Sequence, residues 1–103
     1  MGNPEYAIRD GLGGEAAIVF RYRRDDVNGL DWAVVLLVRV GSKEHIVRSY
    51  DNAHGWPEMH RYERGVKQPG ERIPSTGSAN LDLPAVIREV KRGYERMIES
   101  WDR

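Results

Sequence analysis

The fold of this chain is decided by one stretch, Leu30-Asp31-Trp32-Ala33-Val34-Val35-Leu36-Leu37-Val38-Arg39-Val40. Side chains alternate between the two faces of a β-strand. Trp32, Val34 and Leu36 share one face with the valines that follow, while the other face carries Ala33, Val35 and Leu37. Because both sets are apolar, the pattern predicts a central strand that is covered on both sides along much of its length.

Three further strands are predicted around this stretch. Residues 16–24 alternate apolar and basic side chains, with Ile18, Phe20 and Tyr22 on one face. Residues 44–50 and 59–64 follow the central strand at short intervals. Parallel strands need a crossover of a dozen or more residues, so the short connections favour an antiparallel meander of about four strands.

The rest of the chain is predicted to form an arm, a loop and a helix. Residues 1–14 contain Gly11, Gly13 and Gly14 and are expected to form a loose N-terminal arm. Residues 65–81 are rich in Gly, Pro, Ser and Thr and are expected to form a surface loop. A helix over residues 82–101, with Asp82 as its N-cap, presents apolar side chains at helical spacing. The prediction is therefore a single α+β domain, in which a four-stranded sheet is backed by one C-terminal helix.

Composition narrows the function classes. Sixteen basic residues balance sixteen acidic ones, so no overall positive field attracts nucleic acid, and RNA binding would need a local basic patch. There is no cysteine, which excludes disulfides and thiolate metal sites and fits a reducing compartment. The longest apolar run, residues 32–38, is far shorter than the roughly 20 residues of a membrane-spanning helix. We therefore expect a cytoplasmic protein without a membrane partner.

Reactive side chains are concentrated between residues 45 and 62, which include all three histidines. The turn-forming residues of the stretch Asp51-Asn52-Ala53-His54-Gly55 place His54 near the tip of a loop between the third and fourth strands. His60 then lies on the fourth strand. Histidine exchanges protons at neutral pH, and the guanidinium of arginine binds phosphate through two hydrogen bonds.

This cluster has the composition needed for metal-independent cleavage of RNA. If the third and fourth strands pair directly, His60 stands across from residues 48–50. One histidine would then activate the 2′-hydroxyl and the other would protonate the leaving oxygen, while Arg48 or Arg61 stabilised the phosphorane. Tyr50 and Tyr62 are candidates for substrate binding, because tyrosine stacks on bases.

Two other interpretations use the same residues. Asp51, His54 and His60 are possible ligands of a transition metal, although their spacing matches no strong metal signature. Alternatively, Asp51 and Asn52 form an Asx turn, Gly55 supplies an unusual backbone angle, and the histidines bond to neighbouring loops.

The segment Tyr50-Asp51-Asn52-Ala53-His54-Gly55, followed by His60-Arg61-Tyr62, resembles the YDN-x-HG…H-x-HRY signature of small prokaryotic proteins similar to TumE-like toxins of toxin–antitoxin modules. The likeness is detailed over residues 44–62. It implies an RNA-cleaving toxin with an antitoxin partner and places Asp51, His54, His60 and Arg61 at the matching positions. In this chain Glu58 stands where the signature often has a further histidine.

The residues and the resemblance together predict a metal-independent ribonuclease of toxin type that uses no cofactor. The alternative is a non-catalytic module that binds RNA or a partner protein through the same surface. Neither the substrate sequence nor the oligomeric state follows from the residues.

Overall fold

A computed structural model describes residues 3–27 and 29–103 and has an α+β architecture, with an open antiparallel sheet and one C-terminal helix. The five long strands are β1 (Glu5–Gly13), β2 (Ala16–Asp25), β3 (Gly29–Val40), β4 (Lys43–Asp51) and β5 (Glu58–Glu63). Two short strands, β6 (Val66–Lys67) and β7 (Glu71–Arg72), precede the helix α1 (Ala79–Glu99). The helix is not apolar enough to cross a membrane, and the described residues form no other.

The sheet is a meander. Strands β1 to β5 are neighbours in chain order and all pair antiparallel, as the short connections predicted. The outer edge of β5 is shared, since β6 pairs near its end at Tyr62 and β7 pairs near its start at Glu58. The predicted class is confirmed, and the described residues contain seven strands rather than four.

Strand β3 is central in the sheet, as predicted, but it is covered on one side only. The side chains of Trp32, Val34 and Leu36 are buried under α1, where Val86, Val90 and Met97 complete the core; we call this side of the sheet the helix face. Ala33, Val35 and Leu37 alternate with them on the open face and are only partly buried. The prediction of two covered faces was wrong, because the single helix occupies one face. On the other, the Arg9–Glu44 ion pair joins side chains from β1 and β4.

The predicted loose arm is mostly a strand. Within the described residues 3–14, β1 pairs with β2 from Glu5 to Gly13. Its apolar side chains Tyr6 and Ile8 stay exposed at the sheet edge, so its backbone pairing, rather than an apolar pattern, forms the strand. Gly13 has a φ of 141° and packs against Tyr94, whose hydroxyl donates to the Leu12 carbonyl at 3.1 Å. The glycines therefore bring β1 back along β2 instead of ending regular structure.

The helix starts earlier than predicted. Ser78 is the N-cap residue, and its carbonyl accepts the amides of Leu81 and Asp82. Asp82 lies inside the first turn, where its carboxylate accepts the Thr76 amide at 2.7 Å and the Ser75 hydroxyl at 2.6 Å. The predicted N-cap thus binds the preceding loop to the helix. The predicted loop 65–81 contains β6, β7 and the first helical residues, and α1 ends at Glu99, so Trp101 packs on the core just beyond it.

Candidate functional site

The candidate site lies where β4 ends and β5 begins. In the antiparallel register, Asp51 is opposite Glu58 and Ser49 is opposite His60. Directly opposed residues share a face of the sheet, and the same register places Ser49 beside Val35 of β3. The side chains of Asp51, Glu58 and His60 therefore share the open face, and none of them lies under α1.

The turn between the two strands is built by the residues that the sequence nominated. Asp51 Oδ1 accepts the Ala53 amide at 3.1 Å, which is the predicted Asx turn. The Asn52 side chain is buried and clamps β3, since its amide donates to the Leu30 carbonyl and its oxygen accepts the Trp32 amide. Gly55 has a φ of 86°, which confirms its predicted unusual angle. Asn52 and Gly55 therefore shape the turn, and Asp51 keeps its second oxygen, Oδ2, for the site.

Each of the two site histidines contacts one carboxylate, and Glu58, the partner of His54, also lies near His60. His54 Nδ1 lies 2.8 Å from Glu58 Oε1, and His60 Nε2 lies 3.4 Å from Asp51 Oδ2. His60 Nδ1 contacts the Gln68 carbonyl at 3.0 Å. One ligand atom from each of Asp51, Glu58 and His60 lies within 4.8 Å of the others. The exposure differs sharply, because the His54 side chain is 68% exposed and that of His60 only 13%.

Glu58 interacts electrostatically with both histidines. The hydrogen bond with His54 holds the pKa of Glu58 below its ordinary value and outweighs the opposing effect of burial. The positive charge that His54 and His60 acquire when protonated adds a smaller effect in the same direction as the hydrogen bond. Glu58 is therefore an ionised acceptor at neutral pH. Since a carboxylate only accepts hydrogen bonds, His54 must donate its Nδ1 proton to it, which leaves the exposed Nε2 of a neutral ring free to accept a proton.

The arginines and the buried tyrosine predicted for this cluster lie on the opposite face. Arg48 pairs with Arg61 and Tyr50 with Met59, one residue out of phase with His60. Arg48 and Arg61 line a groove of about 1010 Å³ against α1, in which Arg92 and Arg96 alternate with acidic residues. The predicted meeting of these arginines with the histidines was wrong, because successive residues of a strand point to opposite faces.

Tyr50 belongs to the core. It is 2% exposed, its hydroxyl lies 3.9 Å from Met97 Sδ, and burial raises its pKa. Its predicted substrate-binding role does not fit that position. Tyr62 is half-buried at the far end of β5, where it pairs with Lys67. The third histidine, His45, packs on Trp101 with ring centroids 5.6 Å apart, away from the other two.

Two residues outside the predicted set join the site. Arg72 of β7 is directly opposite Glu58, which places it on the open face, and its guanidinium lies 3.8 Å from the centre of the Trp56 ring. Trp56 also neighbours His54, with ring centroids 6.0 Å apart. Arg72 was missed because it lies in the segment predicted as a loop, and only the pairing of β7 with β5 brings it to the site.

Ser49 is the third residue that the sequence did not single out. It is 8% exposed, lies opposite His60, and its hydroxyl oxygen has no hydrogen-bond partner among the described residues. A buried hydroxyl without a partner costs about 1–3 kcal/mol. The residue type does not signal this, because serine is mostly found exposed.

Comparison of the chain with family models, with curated proteins and with solved structures finds no match.

Proposed function

We propose that this protein is a metal-independent ribonuclease of toxin type, whose acid–base pair is His54 and His60 on the open face. The observation that carries the proposal is that the two histidines flank one carboxylate, Glu58, and are held there in different ways. His54 faces solvent, whereas His60 is shielded and also contacts the Gln68 carbonyl. An acid–base pair needs two such groups within reach of one phosphodiester.

His54 is suited to act as the general base. Its Nδ1 donates to ionised Glu58, so its Nε2 carries a lone pair and faces solvent. A carboxylate that orients a histidine in this way fixes the tautomer that accepts a proton. In the proposed step, His54 Nε2 takes the proton of the ribose 2′-hydroxyl, and the 2′-oxygen attacks the adjacent phosphorus.

His60 is suited to act as the general acid. A carbonyl cannot donate, so the 3.0 Å contact with Gln68 requires a proton on His60 Nδ1. In the doubly protonated ring, the Nε2 proton points towards Asp51 Oδ2 at 3.4 Å. In the proposed step this proton passes to the 5′-oxygen as the P–O5′ bond breaks, and the products are a 2′,3′-cyclic phosphate and a free 5′-hydroxyl.

Arg72 replaces the arginines predicted from the sequence. It stands on the open face beside Glu58 and carries a permanent charge, whereas Arg48 and Arg61 face α1. A guanidinium stabilises the charge that develops on the phosphorane oxygens. Trp56, which is 39% exposed next to it, offers an aromatic surface for a base.

The cleavage chemistry is tested with matched oligonucleotides in the presence of a chelator. We expect purified protein to cleave an RNA strand, to leave 2′,3′-cyclic phosphate ends, and to spare the same strand carrying 2′-O-methyl groups. Cleavage of the methylated strand would contradict attack by the 2′-hydroxyl. Binding of RNA without cleavage would contradict catalysis and support the non-catalytic module.

The toxin role rests on the resemblance of residues 44–62 to TumE-like proteins. It implies a cytoplasmic protein held inactive by an antitoxin encoded beside it. We expect induced expression to arrest bacterial growth, and co-expression of the neighbouring reading frame to restore it. Undiminished growth at high protein levels would contradict a toxin, while leaving the cleavage assay to decide the chemistry.

A further inference from the structure

We propose that Asp51, Glu58 and His60 also form a binding site for one divalent transition-metal ion of the zinc type, and that the bound ion inhibits the cleavage proposed above. The inhibitory role rests on the proposed function, whereas the binding site does not. The weaker metal hypothesis from the sequence used His54 as a ligand, and the geometry replaces it with Glu58. One ligand atom of each residue lies within 4.8 Å of the others. Ligands of one zinc ion lie about 3–4 Å apart, so small side-chain adjustments close the site.

The orientation of His60 is the one that metal-binding histidines adopt. Its Nδ1 donates to the Gln68 carbonyl at 3.0 Å, which turns Nε2 towards Asp51 Oδ2 at 3.4 Å. Metal-ligating histidines usually donate their other ring nitrogen to a carbonyl or carboxylate. In the neutral ring, the Nε2 lone pair faces a carboxylate, and two electron-rich groups at that distance are stabilised by a cation between them.

Ser49 provides an independent observation that points to a ligand at this place. Its hydroxyl is more than nine-tenths buried, stands opposite His60 on the same face, and has no hydrogen-bond partner among the described residues. Hydroxyls this deeply buried are normally bonded to protein or to ordered water. The side-chain adjustments that close the metal site would let a water molecule on the ion reach the Ser49 hydroxyl and become its missing partner.

The site is rigid and has the charge that a divalent cation requires. Its three side chains project from two directly paired strands rather than from the loop tip. The backbone of Gly70 packs against Glu58 and His60, since a Cβ at this position would lie 2.8 Å from Glu58 Oε2 and 2.9 Å from His60 Cε1. Two carboxylates supply two negative charges. The imidazole nitrogen favours zinc-like ions over magnesium, which prefers oxygen ligands.

The same ligands explain why the ion would inhibit. A metal on His60 Nε2 occupies the position from which the proton leaves for the 5′-oxygen. Glu58 would also coordinate the ion, and its hydrogen bond to His54, which orients that histidine, would weaken. One ion therefore removes the general acid and releases the general base.

Binding is tested on chelator-treated protein without reference to activity. We expect Zn²⁺ to bind with 1:1 stoichiometry by titration calorimetry and Co²⁺ to give a visible absorption band, while Mg²⁺ gives neither. Asp51→Asn and Gly70→Ala should each weaken Zn²⁺ binding by at least about 10-fold; circular dichroism checks that both fold. Glu71→Gln is the matched control, because Glu71 pairs opposite Met59 on the helix face and should bind as the unaltered protein does.

Each result decides one part of the proposal. Absence of Zn²⁺ binding, or binding that survives both Asp51→Asn and Gly70→Ala, overturns the site. Zn²⁺ that binds and lowers the RNA cleavage rate, with recovery in chelator, supports the inhibitory role. Zn²⁺ that binds and leaves the rate unchanged, or raises it, overturns that role. If the protein binds Zn²⁺ at this site but cleaves no RNA, the metal site is supported and the proposed ribonuclease activity is contradicted.

Discussion

The two faces of the β4–β5 strand pair differ in what surrounds their side chains, although residues on opposite faces are neighbours in sequence. On the helix face, Tyr50 and Met59 are buried against α1, and Arg48 and Arg61 border a groove that is lined by four arginines and three glutamates. One residue along, on the open face, Asp51 and His60 lie diagonally across the strand pair with their side chains 3.4 Å apart, and α1 does not cover them. The cluster that looks continuous in sequence is therefore two interleaved sets. Strand alternation places one set in or beside the core and the other on the open face, where we propose the chemistry to take place.

The largest effect that this comparison predicts is on stability. Replacing Leu36 by Ala should lower the free energy of unfolding by about 2–5 kcal/mol, because its side chain is fully buried in the core. Leu37→Ala is the matched control, since the neighbouring leucine is only half-buried on the open face. Urea denaturation of both variants measures the difference. An equal loss in Leu37→Ala would mean that another layer covers the open face.

The next effect concerns the two arginine positions. Arg72→Ala should reduce RNA cleavage by about 10²-fold, the typical cost of removing one group that stabilises developing charge. Arg61→Ala should leave the rate nearly unchanged, because Arg61 lies on the helix face and pairs with Glu71 at 3.8 Å. Single-turnover rates on one RNA substrate compare the two. A larger loss in Arg61→Ala than in Arg72→Ala would indicate that cleavage takes place on the helix face.

A smaller effect is expected at Asp82, which stabilises the loop between β7 and α1. Burial raises the pKa of Asp82, but the hydrogen bonds from Ser75 and Thr76 together outweigh it and hold the pKa below its ordinary value. Asp82→Asn should cost about 1–3 kcal/mol at neutral pH, with little effect on cleavage.

The pH dependence of that cost has a definite sign. Because the folded-state pKa of Asp82 is lowered, its stabilisation is present above the unfolded value of about 3.9. It is lost as the pH falls through the folded-state pKa. The difference in stability between Asp82→Asn and the unaltered protein should therefore shrink in acid. Exposed Glu95 gives the control, Glu95→Gln, and a difference that stays constant with pH would contradict the role of the carboxylate.

The fold was predictable where apolar periodicity is strong. The two apolar sets in residues 30–40 identified the central strand, and the stripe in residues 82–101 identified the helix. Periodicity failed at β1, where exposed Tyr6 and Ile8 leave little pattern and backbone pairing with β2 forms the strand. It also predicted that β3 is covered on both faces, because an apolar face does not show whether another element of the chain packs on it.

The location of the candidate site was predictable from the sequence, but the residues that form it were less so. The turn-forming residues correctly placed His54 at the loop tip, and the pairing of the last strands brought His60 opposite Ser49. Arg72 could not be found, because its position depends on a two-residue strand inside a segment rich in Gly and Pro. Glu58 was visible but was interpreted as a missing histidine, whereas it contacts His54 and lies beside His60.

The proposed assignment of the acid–base pair to His54 and His60 is tested by three histidine variants. RNA cleavage in chelator should fall by about 10²–10⁴-fold in His54→Ala and in His60→Ala, the usual contribution of one positioned proton donor or acceptor. His45→Ala should keep its rate, since His45 packs on Trp101 away from the pair, and thermal unfolding checks that all three variants fold. Folded His54→Ala and His60→Ala variants that cleave as fast as the unaltered protein would exclude these histidines from catalysis.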